Sequence, residues 1–202
     1  MPKVYAIDGI TPVVDPSAFV HPSAVLIGDV IVHARAYIGP CACLRGDFGR
    51  IVVEEGANIQ DTCMLHGFPG KDTVVGAEST IGHGAVLHGC VIGRGALVGM
   101  NCVVNDNAEV GEDAVVAALA FVRAEERIPA RSLAVGIPAK VLRTLSAQEL
   151  SWKHDNMRLY QDLAVRSSKM KLVEALTKVE PDRKRIDIPG SVPLSELKKK
   201  HA

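Results

Sequence analysis

Three histidines stand close together in the middle of the chain, at His66, His83 and His88. Three neutral imidazoles that leave one position open for water form the donor set of a catalytic zinc site, whereas a structural site is closed by four ligands. Upstream lies the run Leu44-Arg45-Gly46-Asp47-Phe48-Gly49-Arg50, followed by Asn58-Ile59-Gln60-Asp61. Arg45, Asp47, Gln60 and Asp61 break an otherwise aliphatic pattern. Charges persist in such surroundings when they are paired or when they serve a site. On the residues alone both uses stay open: an Arg–Asp pair pinning one subunit to another, and service to a metal centre. His21, His33, His154 and His201 have no comparable company and read as surface or structural histidines.

What must position these groups is a six-residue beat. An aliphatic residue recurs at Val14, Val20, Leu26, Val32, Ile38 and Leu44, then at Val53, Ile59, Leu65, Val75, Ile81 and Leu87. After a slip of one residue it resumes at Ile92, Val98, Val104, Val110, Val116 and Val122. A hexapeptide period held this long marks a parallel β-helix. Three hexads close a triangular coil of about eighteen residues, so the beat predicts about six coils. Strands of successive coils pair about 4.8 Å apart, with one aliphatic side chain per hexad pointing inward. Gly, Asn and Asp at the corners accept the tight or positive-φ backbone of each bend. On this beat His66 follows the inward Leu65, and His83 and His88 fall on either side of the inward Leu87 one coil later.

The chain divides accordingly. A lead-in and the β-helix occupy 1–124, broken at Gly67-Phe68-Pro69-Gly70-Lys71-Asp72-Thr73, where Pro and Gly signal an excursion from the prism surface. That excursion begins directly after His66, which makes it a candidate lip for a site. A connector follows over 125–145, with a turn at Gly136-Ile137-Pro138-Ala139-Lys140. Ser146-x-x-Glu149 is a capping box. It opens a helical region over 146–178, with a break near Ser167-Ser168, and an apolar flank that should lie along the prism or a neighbouring subunit. A charged tail, 179–202, ends in Lys198-Lys199-Lys200-His201 and reads as a solvated terminus. The fold class is all-β, a hexapeptide β-helix with a C-terminal α-helix packed alongside.

Composition removes several functions. Among 202 residues, 23 Lys and Arg balance 23 Asp and Glu, so no general attraction to nucleic acid or anionic lipid is expected. No leader and no stretch near the roughly 20 apolar residues of a membrane span is seen, which predicts a cytoplasmic protein. The five cysteines (Cys41, Cys43, Cys63, Cys90, Cys102) form an odd set at small-residue positions of the repeat and read as reduced thiols.

Taken in order, Arg45-Gly46-Asp47, Asn58-Ile59-Gln60-Asp61, His66, Ile81-Gly82-His83 and His88-Gly89-Cys90 resemble the γ-class carbonic anhydrase family. Thr11-Pro12-Val13-Val14, Val25–Val30, Leu44–Gly49 and Glu149-Leu150-x-Trp152-Lys153 resemble its branch of phenylacetate-degradation and carnitine-operon proteins. The match covers about residues 3–185. The resemblance implies a left-handed β-helix and a homotrimer with one metal at each subunit interface. It implies His66 and His88 as ligands from one subunit and His83 from its neighbour. It further implies that Arg45 pairs across the interface with Asp61, that Asp47 orients the metal shell, that Gln60 meets water or substrate, and that Tyr160 reaches over the site. The metal implied is Zn²⁺, with Co²⁺ or Fe²⁺ also suited to a histidine-only site. Such an ion lowers the pKa of bound water to about 7, and the resulting hydroxide would attack CO₂ or a CoA thioester. Two features depart from the best-studied members. Phe48 replaces a proton-transferring Glu, and the 67–73 excursion offers only Asp72. Both favour the thioester over rapid CO₂ hydration, while the site shared across the family favours CO₂, so the two substrates stand near equal. Other functions on the same fold are CoA-dependent acyl transfer, which shares the 136–140 turn, and a non-catalytic trimeric scaffold.

Overall fold

The computed structural model describes residues 2–188 and Glu196. Its solenoid is a left-handed parallel β-helix of about seven turns, and the six-residue beat becomes three inward columns. Leu26, Leu44, Leu65, Leu87, Val104 and Val122 stack in register along one face. Val14, Val32, Val53, Val75, Ile92, Val110 and Ile128 form the second. Val20, Ile38, Ile59, Ile81, Val98, Val116 and Ala134 form the third. From the second coil on these side chains are buried, and each Val, Leu or Ile buried this way contributes about 1.5–3 kcal/mol. Small residues (Ala24, Ala42, Cys63, Ala85, Cys102, Ala120) fill the space beside the first column without exposure.

The corners repeat as strictly as the strands. Cys41, Thr62, Gly84, Asn101 and Leu119 all have positive φ, as do Arg35, Gly56, Glu78, Gly95, Asp113 and Arg131 on another edge. For a non-glycine residue this costs about 1–2 kcal/mol. The cost is borne because each corner is tied to the next coil by backbone hydrogen bonds, such as Thr62 N to Pro40 O and Asn101 N to His83 O, both 2.9 Å.

The stacking exceeds the expected six coils at both ends. Lys3–Tyr5 pairs in parallel with Val25–Ile27. Arg127–Ile128 and Ser132–Val135 continue the beat past residue 124, into what the sequence suggests is connector. Ile128 keeps the six-residue step, and Ala134 keeps it with a side chain too small to register as part of an aliphatic pattern. Lys140–Thr144 then returns antiparallel along Ser132–Val135.

The helix Ala147–Ser167 begins at Ser146 with a complete capping box shared with Glu149. It ends at the Ser167-Ser168 break and does not reach Lys178. Beyond the break Leu172, Val173, Leu176 and Val179 are exposed, so no packing offsets the entropy of extending the helix. The helix covers the third face. Tyr160 meets Tyr37 at 5.8 Å between ring centroids, and Tyr37 stacks on Phe19 at 5.5 Å. Lys153, only 3% exposed, anchors it by an ion pair to Asp113 (2.6 Å) and a hydrogen bond to Gly95 O. Among the described residues no helix is long and apolar enough to cross a membrane. The basic end at Lys198–His201 lies outside the described residues.

Candidate functional site

The candidate residues gather at the two edges of the first face. At one edge Arg45, His66 and His88 form an outward column in strict register, contributed by the strands Cys43–Val53, Met64–His66 and Val86–His88. Alternation places them outward because Leu44, Leu65 and Leu87 point in. At the other edge Gln60, Asp61 and His83 occupy the corners that follow Asn58–Ile59 and Thr80–Ile81. His88 is five residues on from His83, a span of up to about 17 Å. Among the described residues no cluster within this one chain supplies three donors that could hold a metal.

At the first edge His66 Nδ1 faces His88 Nε2 at 3.0 Å. The far nitrogen of each ring is held by a carboxylate: His66 Nε2 lies 3.0 Å from Asp47 Oδ1, and His88 Nδ1 makes a short contact with Asp106. An ionised carboxylate only accepts, so both far nitrogens carry the hydrogen. When both rings are neutral the two facing nitrogens therefore present lone pairs to each other, a geometry that suits a cation held between them. Two ligands of a tetrahedral zinc ion with bonds near 2.05 Å stand about 3.3 Å apart, close to the separation found. The side chains present thus fit a metal ion as two of its ligands, each imidazole braced by a carboxylate behind it.

The electrostatics agree with that use. Burial, followed by the Arg45 charge, lowers the His66 pKa against the opposing pull of Asp47, which keeps the ring neutral. Burial pushes the Asp47 carboxyl up. The hydrogen bonds from Arg45 (2.8 Å) and His66 outweigh it and hold the group below its ordinary range. Phe48, 62% exposed, stands 5.5 Å from the His66 ring, and Phe68 from the excursion stacks on His88 at 6.2 Å. The excursion is pinned by the buried Thr73, whose hydroxyl donates to His66 O (2.7 Å) and accepts from Gly89 N (3.0 Å).

At the second edge His83 Nδ1 lies 2.7 Å from Asp61 Oδ2, and His83 N donates to Gln60 Oε1 at 3.2 Å. Gln60 is 5% exposed, and its amide donates to Asn58 Oδ1, so it braces the corner that presents His83. Within the chain, Arg45 pairs with Asp47, and Asp61 is held by His83. Tyr160 belongs to this second edge, away from its own chain's His66–His88 pair. Burial, then the charge of Asp61, pushes its hydroxyl up to about 12, so it stays a donor.

Known proteins place this geometry in a family. Residues 89–124 match the family model for the bacterial transferase hexapeptide (six repeats). The carnitine operon protein CaiE of Salmonella typhimurium is 56% identical over 183 residues, 90% of this chain and 92% of that protein. The chain belongs to the CaiE family. CaiE proteins fall within the hexapeptide, γ-carbonic-anhydrase-like group that the sequence motifs resemble. Solved structures similar to this CaiE-family chain include a hexapeptide transferase family protein of Anaplasma phagocytophilum, 35% identical with TM-score 0.78, covering 81% of this chain and 97% of that one. A Bacillus cereus protein named for a suspected acetyltransferase activity is 30% identical with TM-score 0.83, covering 84% of this chain and 99% of that one.

Two neighbours of the histidines escaped sequence reasoning. Phe68 sits in the excursion but carried no signal of its own. Asp106 lies at the corner of the next coil, one place past the position in register with His88, and no motif of its own marks it in the sequence.

Proposed function

We propose that this CaiE-family chain is a metal-dependent hydrolytic enzyme whose sites are completed between subunits of a homotrimer. The observation that carries the reading is the pair of facing imidazole nitrogens of His66 and His88, each with a carboxylate on its far nitrogen. In this reading His66 and His88 of one subunit and His83 of its neighbour hold the ion, with Zn²⁺ suited to the all-imidazole set and Co²⁺ or Fe²⁺ as substitutes. The ion supplies Lewis acidity that makes water nucleophilic near neutral pH.

The remaining work falls to the protein's own groups. Asp47 and Asp106 keep the imidazoles in the tautomers that direct lone pairs inward. Arg45 places a fixed positive charge beside the site, where negative charge develops as a carbonyl is attacked. Gln60 holds the His83 corner and, with one amide hydrogen left over, can donate to an electrophile's oxygen. Tyr160 serves the same edge as a protonated hydroxyl.

Assembly is supported by the face that carries both half-sites. Beyond Lys3 in the first coil, its other outward column is apolar: Val25, Cys43, Met64, Val86, Val103 and Phe121. Met64 and Val86 remain 40% and 36% exposed in the single chain. A closed ring of three copies covers such a face and brings each His83 edge to a neighbour's His66–His88 edge.

For the substrate, the exposed Phe48 beside His66 favours an apolar acyl group over CO₂, since it offers a wall for binding and no acceptor for a proton. A CoA thioester of the phenylacetyl type is therefore the leading substrate and CO₂ the second. CoA-dependent acyl transfer is a further reading, favoured by the names of the structural relatives. The deciding experiment measures metal per chain, with thioester hydrolysis and CO₂ hydration followed before and after chelation. About one metal per chain and a chelator-sensitive hydrolysis are expected. A metal-free trimer without either activity after zinc is restored would refute the proposal.

A further inference from the structure

Asp106 lies in none of the motifs that mark the site, yet it closes the far end of the imidazole pair. Along the solenoid axis the order is Asp47, His66, His88, Asp106, with the two rings facing each other across 3.0 Å. Asp106 accepts from His88 Nδ1, which leaves the Nε2 lone pair directed at His66. The surrounding backbone makes room for this contact. Gly89 has φ +55°, and a Cβ there would stand 2.5 Å from Phe68 Cε1 and 3.2 Å from Asp106 Oδ1. A side chain at that corner would have to displace the Phe68 ring and press the Asp106 carboxylate back by a few tenths of an ångström. The Asp106 side chain is 43% exposed, and a carboxylate this exposed contributes little to fold stability.

We infer that Asp106 is a positioning residue that holds His88 in the Nδ1–H tautomer and so presents Nε2 as a metal ligand. Its purpose rests on the metal reading above; the tautomer does not. Free histidine favours the opposite tautomer, hydrogen on Nε2, so the carboxylate is needed to reverse a natural preference. Asp47 acts on the other ring in the mirror sense, fixing the hydrogen on His66 Nε2.

The test uses the full chain with ¹⁵N-labelled histidine, free of zinc and at alkaline pH where imidazoles are neutral. Wild-type His88 should carry its hydrogen on Nδ1. In Asp106→Ala it should move toward the Nε2–H form, while His66 keeps its own tautomer. Asp106→Asn, whose amide oxygen still accepts, should retain the wild-type pattern. Zinc affinity, read by chelator competition, should weaken about 10–100-fold in Asp106→Ala and less in Asp106→Asn. A wild-type His88 with hydrogen on Nε2, or an Asp106→Ala tautomer unchanged from wild type, overturns the inference. Equal zinc affinity in wild type and Asp106→Ala overturns its metal-presenting role while leaving the metal centre standing. A tautomer shift in a protein that binds no zinc supports the positioning role and removes the metal reading instead.

Discussion

Mixing two inactive variants gives the sharpest test of the shared site. His83→Ala removes the proposed ligand at one edge of the first face and leaves His66 and His88 intact at the other. His88→Ala does the reverse. If every site joins the His66–His88 edge of one subunit to the His83 edge of the next, each homotrimer of variants has no complete site. In a trimer assembled at random from equal amounts, an interface is complete only where a His83→Ala chain meets a His88→Ala chain in the right order. Each condition is met half the time, so about one quarter of the interfaces are whole. Zinc per chain and hydrolysis should both recover to about a quarter of the wild-type level. As the mixing ratio varies, recovery should follow the product of the two fractions and peak at equal amounts. Native mass spectrometry would verify that mixed trimers formed. Mixed trimers with no zinc above that of the parents would refute the argument, because a site built within one chain cannot be rescued by a neighbour.

Four other outcomes are expected. Asp113→Asn removes the charge that partners the buried Lys153. Breaking such a pair costs about 3–5 kcal/mol, and an amide oxygen that still accepts puts this case near the lower end. Helix amides should then exchange on the order of 100-fold faster, and unchanged exchange would show that the pair does not hold the helix. The wild type should lose the same stabilisation in acid. Burial raises the Asp113 pKa, but hydrogen bonds from Lys153 and His154 outweigh it and hold it below 3.8. The stabilisation is therefore present above the unfolded pKa of about 3.9 and lost as pH falls through the folded value, with Asp113→Asn insensitive in that window. Phe48→Glu should weaken binding of apolar acyl thioesters and raise CO₂ hydration, as assays on zinc-loaded trimer would record; an unaltered ratio of the two activities would remove Phe48 from the substrate wall. Gly89→Ala should destabilise by about 1–2 kcal/mol from its positive φ and, by displacing Phe68 and Asp106, lower zinc affinity. Full affinity after that loss of stability would mean that neither contact matters to the metal.

The β-helix was legible because its period is written in residues that all do the same thing: Val, Leu or Ile at every sixth place can only stack inward. Where the beat thins, at Val4 in an open first coil and at Ala134 in the last, the pattern faded while the backbone pairing continued. The helix start was explicit in Ser146 and Glu149. Its end was less so, because the apolar spacing of Leu172, Val173 and Leu176 suits a helix that has nothing to pack against. At the site, local order in the sequence pointed to residues that the fold gathers along one face, but not to all their partners. Arg45 and Asp47, two apart on one strand, point outward together and pair, which the alternation of a strand dictates. Asp106 was missed because its neighbour along the solenoid axis is a whole coil away in sequence, and nothing between them marks the connection.

A triangular prism also limits where a polar site can sit. Every coil satisfies its backbone within the stack and fills its centre with aliphatic side chains, so the interior offers no room for a polar site. Outward side chains on a flat face run parallel to one another, and those at its two edges diverge. Such a surface can align His66 above Arg45 and below His88, but it cannot turn His83 from the opposite edge to meet them. Convergence needs a second surface, and in the proposed trimer another copy of the same face would supply one carrying the complementary edge. The apolar column from Val25 to Phe121 that would seal two such faces runs beside the histidines on the same strands. In the proposed trimer, assembly and site completion would depend on one set of strands, and a change that parted the faces would also part the proposed ligands.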